Sequence, residues 1–272
     1  RTRRDRLASF LQYEYGLSDI PFRELTHDFA EKFIVYLSTV RGLRSATVSQ
    51  TLKKLHLLVH TAVRKGWISV HPFPDVWVVP QYRERRFLNE DEIRKIMDVR
   101  LPNYKTAIVR DIFVFCCFTG LAYADVKKLT HDDLHTDPNG DMWIIDGRQK
   151  TGTQFRVQLL PVARELVERY RRLSLPGGTV FPVKSCCSTI RSLRTIARQA
   201  GIAIDLTTHV ARHSFATSVC LSQGVPIETV SKMLGHKNIT TTQIYAKITN
   251  DKIKRDMDRL RGRIGDKFRL AQ

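Results

Sequence analysis

The sequence THVARHSFAT, residues 208–217, combines two histidines and an arginine with apolar residues at helical spacing. His209, Arg212 and His213 lie at positions i, i+3 and i+4, so a helix capped by Thr207 or Thr208 presents all three on one face. A cationic cluster near a helix N-terminus favours an anionic ligand, because the helix dipole and the free N–H groups attract negative charge. A surface basic patch with a packed histidine is the alternative that this segment alone leaves open.

The sequence LGHKNITTTQIYAKI, residues 234–248, follows a short distance downstream. His236 comes directly after a glycine that ends a predicted helix over 227–234, and Tyr245 lies nine positions further on. A tyrosine beside an isoleucine is usually an amphipathic residue at the edge of a core rather than a nucleophile. The interpretation of Tyr245 therefore depends on what accompanies it.

The composition predicts a polyanionic partner. The 272 residues include 45 Lys and Arg against 27 Asp and Glu, which gives a formal net charge of +18. The sequence contains no apolar run of ~18 residues, the length needed to span a membrane, and no signal-peptide pattern is present. The five cysteines have no C-x-x-C spacing, which predicts reduced thiols rather than disulfides or a cysteine zinc site. We expect a cytoplasmic bacterial protein associated with the nucleoid; because the chain begins at Arg1, an N-terminal arm-binding domain could have been removed.

The pattern predicts two domains joined by a linker. Residues 1–75 predict a small bundle of three helices, each with one apolar face and a glycine after it. The proline-containing and then basic stretch HPFPDVWVVPQYRERRF, residues 71–87, follows neither the helical nor the strand period, and we place the linker at residues 76–87. Residues 88–272 predict a mixed α+β domain that opens with a capping box at Asn89 and Glu92. Further helices are predicted at 103–118, 161–173, 188–200, 209–222 and 227–234, with a short one ending at Lys128 and a tail helix over about 250–265.

A β-hairpin is predicted within the second domain. The stretch MWIIDGRQKTGTQFRVQLLP, residues 142–161, alternates and is rich in branched and aromatic residues, with Thr151-Gly152-Thr153 between its two halves. The fold class is therefore mainly α, with a small antiparallel β-hairpin or sheet in the C-terminal domain. Since strand side chains alternate, Arg148 and Lys150 are expected to share a face.

These motifs together resemble the C-terminal signature of the tyrosine recombinases, the phage-type integrase family. The elements that carry the resemblance are His-x-x-Arg at His209 and Arg212, Leu-Gly-His ending at His236, and Tyr245 nine residues later. It implies a core-binding domain at 1–75 and a catalytic domain at 88–272. It also implies a site-specific recombinase that cleaves DNA through a covalent 3′-phosphotyrosine, with Tyr245 as nucleophile and Arg212 as phosphate clamp. His209 and His236 would handle protons or bind phosphate, Lys150 would be the general acid, and no metal or cofactor would be needed.

The chain departs from the family at one position. The family usually has T-G-L-R-x-x-E at the end of the long helix, whereas this chain reads TGLAYADV, with Ala122 in place of the arginine and Asp125 where the acid belongs. An alanine there resembles the integrases of Bacteroidetes-type conjugative and mobilisable transposons, which implies integration and excision of a mobile element. Arg148 is the candidate replacement cation, because the alternation places it beside Lys150. A solvated hairpin charge is the other interpretation of Arg148.

Two other functions remain open at this point. The helices at 209–222 and 227–234 around Gly224 also resemble a helix-turn-helix, as in a non-catalytic DNA-binding regulator, and a type IB topoisomerase shares the tyrosine chemistry. A metal-dependent nuclease is disfavoured, because the acidic stretches HDD, residues 131–133, and DPNGD, residues 137–141, are typical of loops or helix caps.

The expected partners are double-stranded DNA and further copies of this chain. Charged residues of the first domain are candidate phosphate contacts: Arg41, Arg44, Lys53, Lys54 and Lys65. The tail helix carries an apolar stripe of Ile253, Met257, Leu260 and Ile264, which could pack on its own domain or on a neighbour. The resemblance implies a tetrameric synapse with exchanged tails, and accessory DNA-bending proteins are further candidate partners.

Overall fold

The computed structural model describes residues 2–81, 86–173, 175–245 and 250–264. The chain divides into two compact units, Arg1–Glu84 and Arg85–Gln272. The fold is mainly helical with one small antiparallel sheet, as the sequence predicts.

The first unit consists of three helices, α1 (Thr2–Tyr15), α2 (His27–Thr39) and α3 (Ser45–Arg64). The side chain of Thr26 caps α2 by accepting the N–H of Phe29 at 3.2 Å. The predicted apolar faces form the core, where several side chains are almost completely buried: Phe10, Phe29, Phe33, Leu37, Val48, Leu52 and Val59. The chain after α3 packs into the same core through Phe73 and Val76, so the first residue of the predicted linker, Val76, is buried in this unit. Residues 82–85 of that linker lie outside the described part of the chain.

The second unit is built around the long helix α5 (Tyr104–Thr119), most of whose side chains are buried. It packs against the helices α4 (Glu90–Asp98), α7 (Pro161–Arg171), α8 (Cys186–Gln199) and α9 (Thr208–Ser214). The remaining helices are α6 (Tyr123–Lys128), α10 (Ile227–Met233), α11 (Thr240–Gln243) and α12 (Asn250–Ile264). The capping box predicted at Asn89 is present, with both hydrogen bonds to Glu92 made. The helix predicted at 209–222 continues beyond α9 as a π-helical turn, Phe215–Cys220, which places buried Phe215 and Ala216 in the core.

The sheet has three antiparallel strands in the order β1 (Leu134–Thr136), β2 (Met142–Gly147) and β3 (Gln154–Gln158). Strands β2 and β3 are the predicted hairpin, with Ile144 opposite Val157 on the buried face. Strand β1 is not expected from the sequence pattern, because three residues are too few to display a period. The acidic stretches on either side of β1 form a cap and a loop, as predicted. The carboxylate of Asp133 accepts the N–H of Thr130, and that of Asp137 accepts the N–H groups of Asn139 and Asp141.

The tail helix α12 leaves its apolar stripe open to solvent. Its four apolar side chains are 38–56% exposed, although the guanidinium of Arg259 lies against Gly224 of the same unit. The five cysteines form no disulfide in the described part of the chain; Cys116, Cys117 and Cys220 are buried, and Cys186 and Cys187 are exposed. Among the described helices, none has the length and apolar character that crossing a membrane requires.

Candidate active site

The site is centred on Arg212, which is only 6% exposed. Thr207 begins α9 by accepting the N–H of Val210 at 3.1 Å, which sets the helical phase that turns Arg212 inward. The guanidinium of Arg212 donates to the carbonyl oxygens of Gly120 and Leu234, each at 2.5 Å. These two carbonyls lie at the C-terminal ends of α5 and α10, where a helix dipole favours positive charge. Burial and the nearby charge of Arg148 lower the pKa of Arg212 to about 10, so the group stays protonated at neutral pH.

His236 is held between Arg212 and Thr242. Its Nε2 lies 3.0 Å from Nη2 of Arg212, and its Nδ1 lies 2.8 Å from Oγ1 of Thr242. Because a guanidinium can only donate, Nε2 must accept, and the proton of the neutral ring resides on Nδ1 and is donated to the threonine hydroxyl. Burial, Arg212 and Arg148 together lower the pKa of His236 to about 4. His236 is therefore neutral at physiological pH, with a defined tautomer.

Tyr245 completes the cluster from within the same chain. Its side chain is 8% exposed, and its ring lies 4.8 Å from that of His213 and 6.3 Å from that of His236, nearly parallel to the latter. A side-chain hydrogen bond between Tyr245 and Arg212 contributes to the electrostatics of the guanidinium. The phenol of Tyr245 and the buried guanidinium of Arg212 are thus adjacent.

Arg148 lies on the other side of the same cluster. Its guanidinium forms a buried ion pair with Asp125, and the second carboxylate oxygen of Asp125 accepts the N–H of Gln149 at 3.1 Å. Its aliphatic part covers Gly235, where a Cβ atom would approach Cγ of Arg148 to 2.7 Å. Its charge is close enough to lower the pKa of both Arg212 and His236. The two arginines therefore converge on one site, although no strand alternation brings Arg148 there.

Lys150 is placed differently from the expectation that it shares a face with Arg148. Strand β2 ends at Gly147, so both residues belong to the connection between β2 and β3. The carbonyl of Arg148 accepts the N–H groups of Thr151 and Gly152 at 3.2 and 2.8 Å, which makes a tight turn. Lys150 is exposed in that turn. The alternation argument was wrong here because it holds only within a strand.

The remaining predicted residues lie on the surface. His209 is exposed, one helical turn before Arg212, and its ring is 6.4 Å from that of His213. The five candidate DNA contacts of the first unit are all exposed: Arg41, Arg44, Lys53, Lys54 and Lys65. The ammonium of Lys65 also lies 5.0 Å from the ring of Trp67. Thr242, by contrast, is a buried member of the site that the sequence pattern did not reveal, because a threonine in a short helix carries no distinguishing signal.

The chain is similar to known recombinases along most of its length. A sequence profile of the phage integrase family matches residues 86–252, and one of the phage integrase SAM-like domain matches residues 1–82. Tyrosine recombinase XerD of Listeria innocua is 28% identical over 287 residues, covering 92% of this chain and 95% of that protein. Tyrosine recombinase XerC of Halalkalibacterium halodurans is 24% identical over 247 residues, covering 86% and 81%.

Solved structures share the fold. XerH site-specific recombinase, in a post-cleavage complex with a palindromic difH substrate, superimposes with a TM-score of 0.75 at 18% identity, covering 93% of this chain and 77% of that one. The Tn1549 transposon integrase in complex with circular intermediate DNA gives a TM-score of 0.73 at 18% identity, covering 93% and 91%.

Proposed function

The chain belongs to the phage integrase family, and from that premise we propose that it is a site-specific tyrosine recombinase whose active site is the cluster around Arg212. The observation that carries the assignment of the site is that Arg212, His236 and Tyr245 contact one another within one chain, with Arg148 beside the first two. The substrate is double-stranded DNA, in keeping with the net charge of +18. The alanine at position 122 favours integration and excision of a mobile element as its biological use.

The reaction follows from the residue types. The Oη atom of Tyr245 attacks the scissile phosphorus, the bond from phosphorus to the 5′ oxygen breaks, and a 3′-phosphotyrosine ester forms. The phenolic proton passes to a base, for which His209 at the exposed rim is the candidate, and the leaving 5′ oxygen takes a proton from Lys150. Attack on the ester by the 5′ hydroxyl of another strand reverses these transfers and rejoins the DNA. The exposed turn that carries Lys150 is free to approach bound DNA.

Two guanidinium groups stabilise the charge that develops on the non-bridging oxygens. Arg212 holds its position through two carbonyls before DNA binds, so little ordering is left to the reaction. Arg148 is oriented by Asp125, and we assign it the role of the arginine that the family has where this chain has Ala122. His236 is neutral, with its Nε2 against Arg212, which favours orientation of the clamp over donation of a proton by this ring.

Self-association on DNA is part of the same proposal, with four copies in the synapse and the tail helix of each docked on its neighbour. The apolar stripe of α12 is exposed, and the second unit has an apolar pocket of about 230 Å³ lined in part by Ile93, Met97 and Phe118. Met257→Glu should reduce the tetrameric fraction on site DNA in analytical ultracentrifugation and leave the free chain unchanged. An unaltered tetramer would count against tail exchange.

Cleavage distinguishes the recombinase from a DNA-binding regulator. A binding site is first selected from genomic fragments, and a nicked duplex carrying it is incubated with the protein, so that the released strand cannot rejoin. We expect a covalent adduct joined through a 3′ phosphate, which is absent in Tyr245→Phe although that variant still binds. Binding without an adduct in the wild type would favour the regulator, whereas relaxation of supercoiled DNA without any site preference would favour a topoisomerase.

A further inference from the structure

Three histidines of the first unit lie together, and none of them is among the residues assigned to catalysis. His56 and His60 are four residues apart on one face of α3, and His71 approaches them from the segment after the helix. Each offers a ring nitrogen, and these three atoms lie within 4.8 Å of one another. A pair of histidines at i, i+4 with a third from a loop is a donor set suited to a transition metal ion.

The hydrogen bonds of His56 direct the lone pair of its Nδ1 atom at His71. Its Nε2 lies 2.9 Å from the carbonyl oxygen of Val76, which can only accept, so the proton is on Nε2 and Nδ1 carries a lone pair. A ring N–H donated to a backbone carbonyl is the arrangement that orients a histidine ligand of a metal. The Nδ1 lone pair faces Nε2 of His71 at 3.1 Å, close to the ~3.3 Å that separates two nitrogens bound tetrahedrally at about 2.0–2.1 Å from zinc.

The three histidines differ in exposure. His56 is 2% exposed, and His71 is half-buried. His60 is exposed, which leaves one side of the cluster open for a water molecule as a fourth ligand.

We propose that His56, His60 and His71 bind one divalent transition metal ion, with Zn²⁺ as the ion that best suits three imidazoles and a water molecule. The ion would fasten α3 to the segment 71–77, which otherwise packs through Phe73, Val76 and the stacking of Trp77 on His56 at 3.9 Å. Binding through Nε2 of His71 requires the proton of that ring to move from Nε2 to Nδ1. In the structure, Nδ1 accepts the N–H of Phe73 at 3.1 Å. The ion thus replaces two hydrogen bonds, the one between the imidazoles of His56 and His71 and the one from the N–H of Phe73 to His71.

The test uses the full chain without a histidine tag. Zn²⁺ is titrated by calorimetry, Co²⁺ is titrated by its visible absorption, and thermal unfolding is followed with and without Zn²⁺. We expect one ion per chain with low micromolar or tighter affinity, a tetrahedral Co²⁺ spectrum and a higher unfolding temperature. Affinity should fall at least ~10-fold in His60→Ala and in His71→Gln, since each removes a ligand.

The matched control is His27→Ala, which removes an exposed histidine of the same unit outside the cluster. It should bind as the wild type does. His60 is exposed, so its replacement keeps the core intact and a loss of binding reports on the ligand itself. Failure to bind Zn²⁺ and Co²⁺ at micromolar concentrations, or equal binding in His60→Ala, would overturn the proposal and leave the cluster as a hydrogen-bonded support for the segment after α3. DNA cleavage is not part of the readout.

Discussion

Replacing the buried hydroxyl beside His236 tests whether the tautomer of that ring matters. Thr242→Val keeps the shape of a side chain that is 0% exposed but removes the acceptor 2.8 Å from Nδ1 of His236. A buried N–H that loses its partner costs ~1–3 kcal/mol. The other tautomer would direct an N–H at the guanidinium of Arg212, 3.0 Å from Nε2, so it cannot relieve the loss without breaking that contact.

The expected result is slower formation of the covalent adduct in a single turnover on nicked site DNA. If the cost of the unpaired N–H of His236 is added to the activation barrier, then at ~1.4 kcal/mol per factor of ten the cleavage rate is about 5- to 150-fold lower. Thr242→Ser restores the hydroxyl and should recover most of the rate. Thr51→Val makes the same change at a threonine that is 4% exposed in the first unit, and should leave the rate unchanged once DNA is saturating.

A spectroscopic measurement separates positioning from general loosening of the fold. The ¹⁵N shifts of His236 should report a proton on Nδ1 in the wild type and a mixture of tautomers in Thr242→Val. A wild-type cleavage rate in Thr242→Val, or a serine variant no faster than the valine variant, would refute the reasoning.

Three further outcomes are expected. Arg148→Ala should slow adduct formation by ~10²-fold or more, whereas Arg171→Ala, at an exposed position of α7, should not; near-normal cleavage would leave Arg148 only as the structural partner of Asp125. Gly120→Ala should lower the free energy of unfolding, measured in urea, by about 2–4 kcal/mol, because φ is +68° and the new Cβ would meet the phenyl ring of Phe215 at 2.4 Å. Gly140→Ala, with open space around the new Cβ, should lower it less. Folding lowers the pKa of His236 to about 4, so as the pH falls the unfolded chain is protonated at this histidine before the folded chain is. The free energy of unfolding should therefore decrease as the pH falls from about 6.5 towards 4. His236→Gln should weaken this dependence in urea titrations, and an equally steep dependence would contradict the assignment.

Local signals were sufficient for most of the helices. Caps such as Asn89, an apolar period along α3 and the glycines that follow helices all act within a few residues, so the sequence displays them directly. Strand β1 was missed because three residues, held mainly by pairing with β2, carry no period of their own. The end of β2 at Gly147 was missed for a related reason: the tight turn after it is set by hydrogen bonds to the carbonyl of Arg148.

The residues of the proposed active site were predictable to the extent that they form a family pattern. Tyr245 and Arg212 are part of that pattern, whereas the hydrogen bond from His236 to Thr242 depends on how α11 folds back. The histidine cluster was missed because His71 lies in a proline-containing stretch interpreted by its composition, and only packing brings it to α3. Residues that act through tertiary contacts leave little trace in one sequence.

The two carbonyls that hold Arg212 connect the lengths of two helices to the function of the site. One oxygen belongs to Gly120, directly after α5, and the other to Leu234, directly after α10, so each points at the guanidinium only at one rotational phase of its helix. A single residue inserted into either helix would turn its last carbonyl by ~100° and direct it elsewhere. Surface substitutions along these helices should therefore be tolerated far better than insertions or deletions of one residue. Variation among active relatives is expected to keep both helix lengths fixed and to place length changes in the loops.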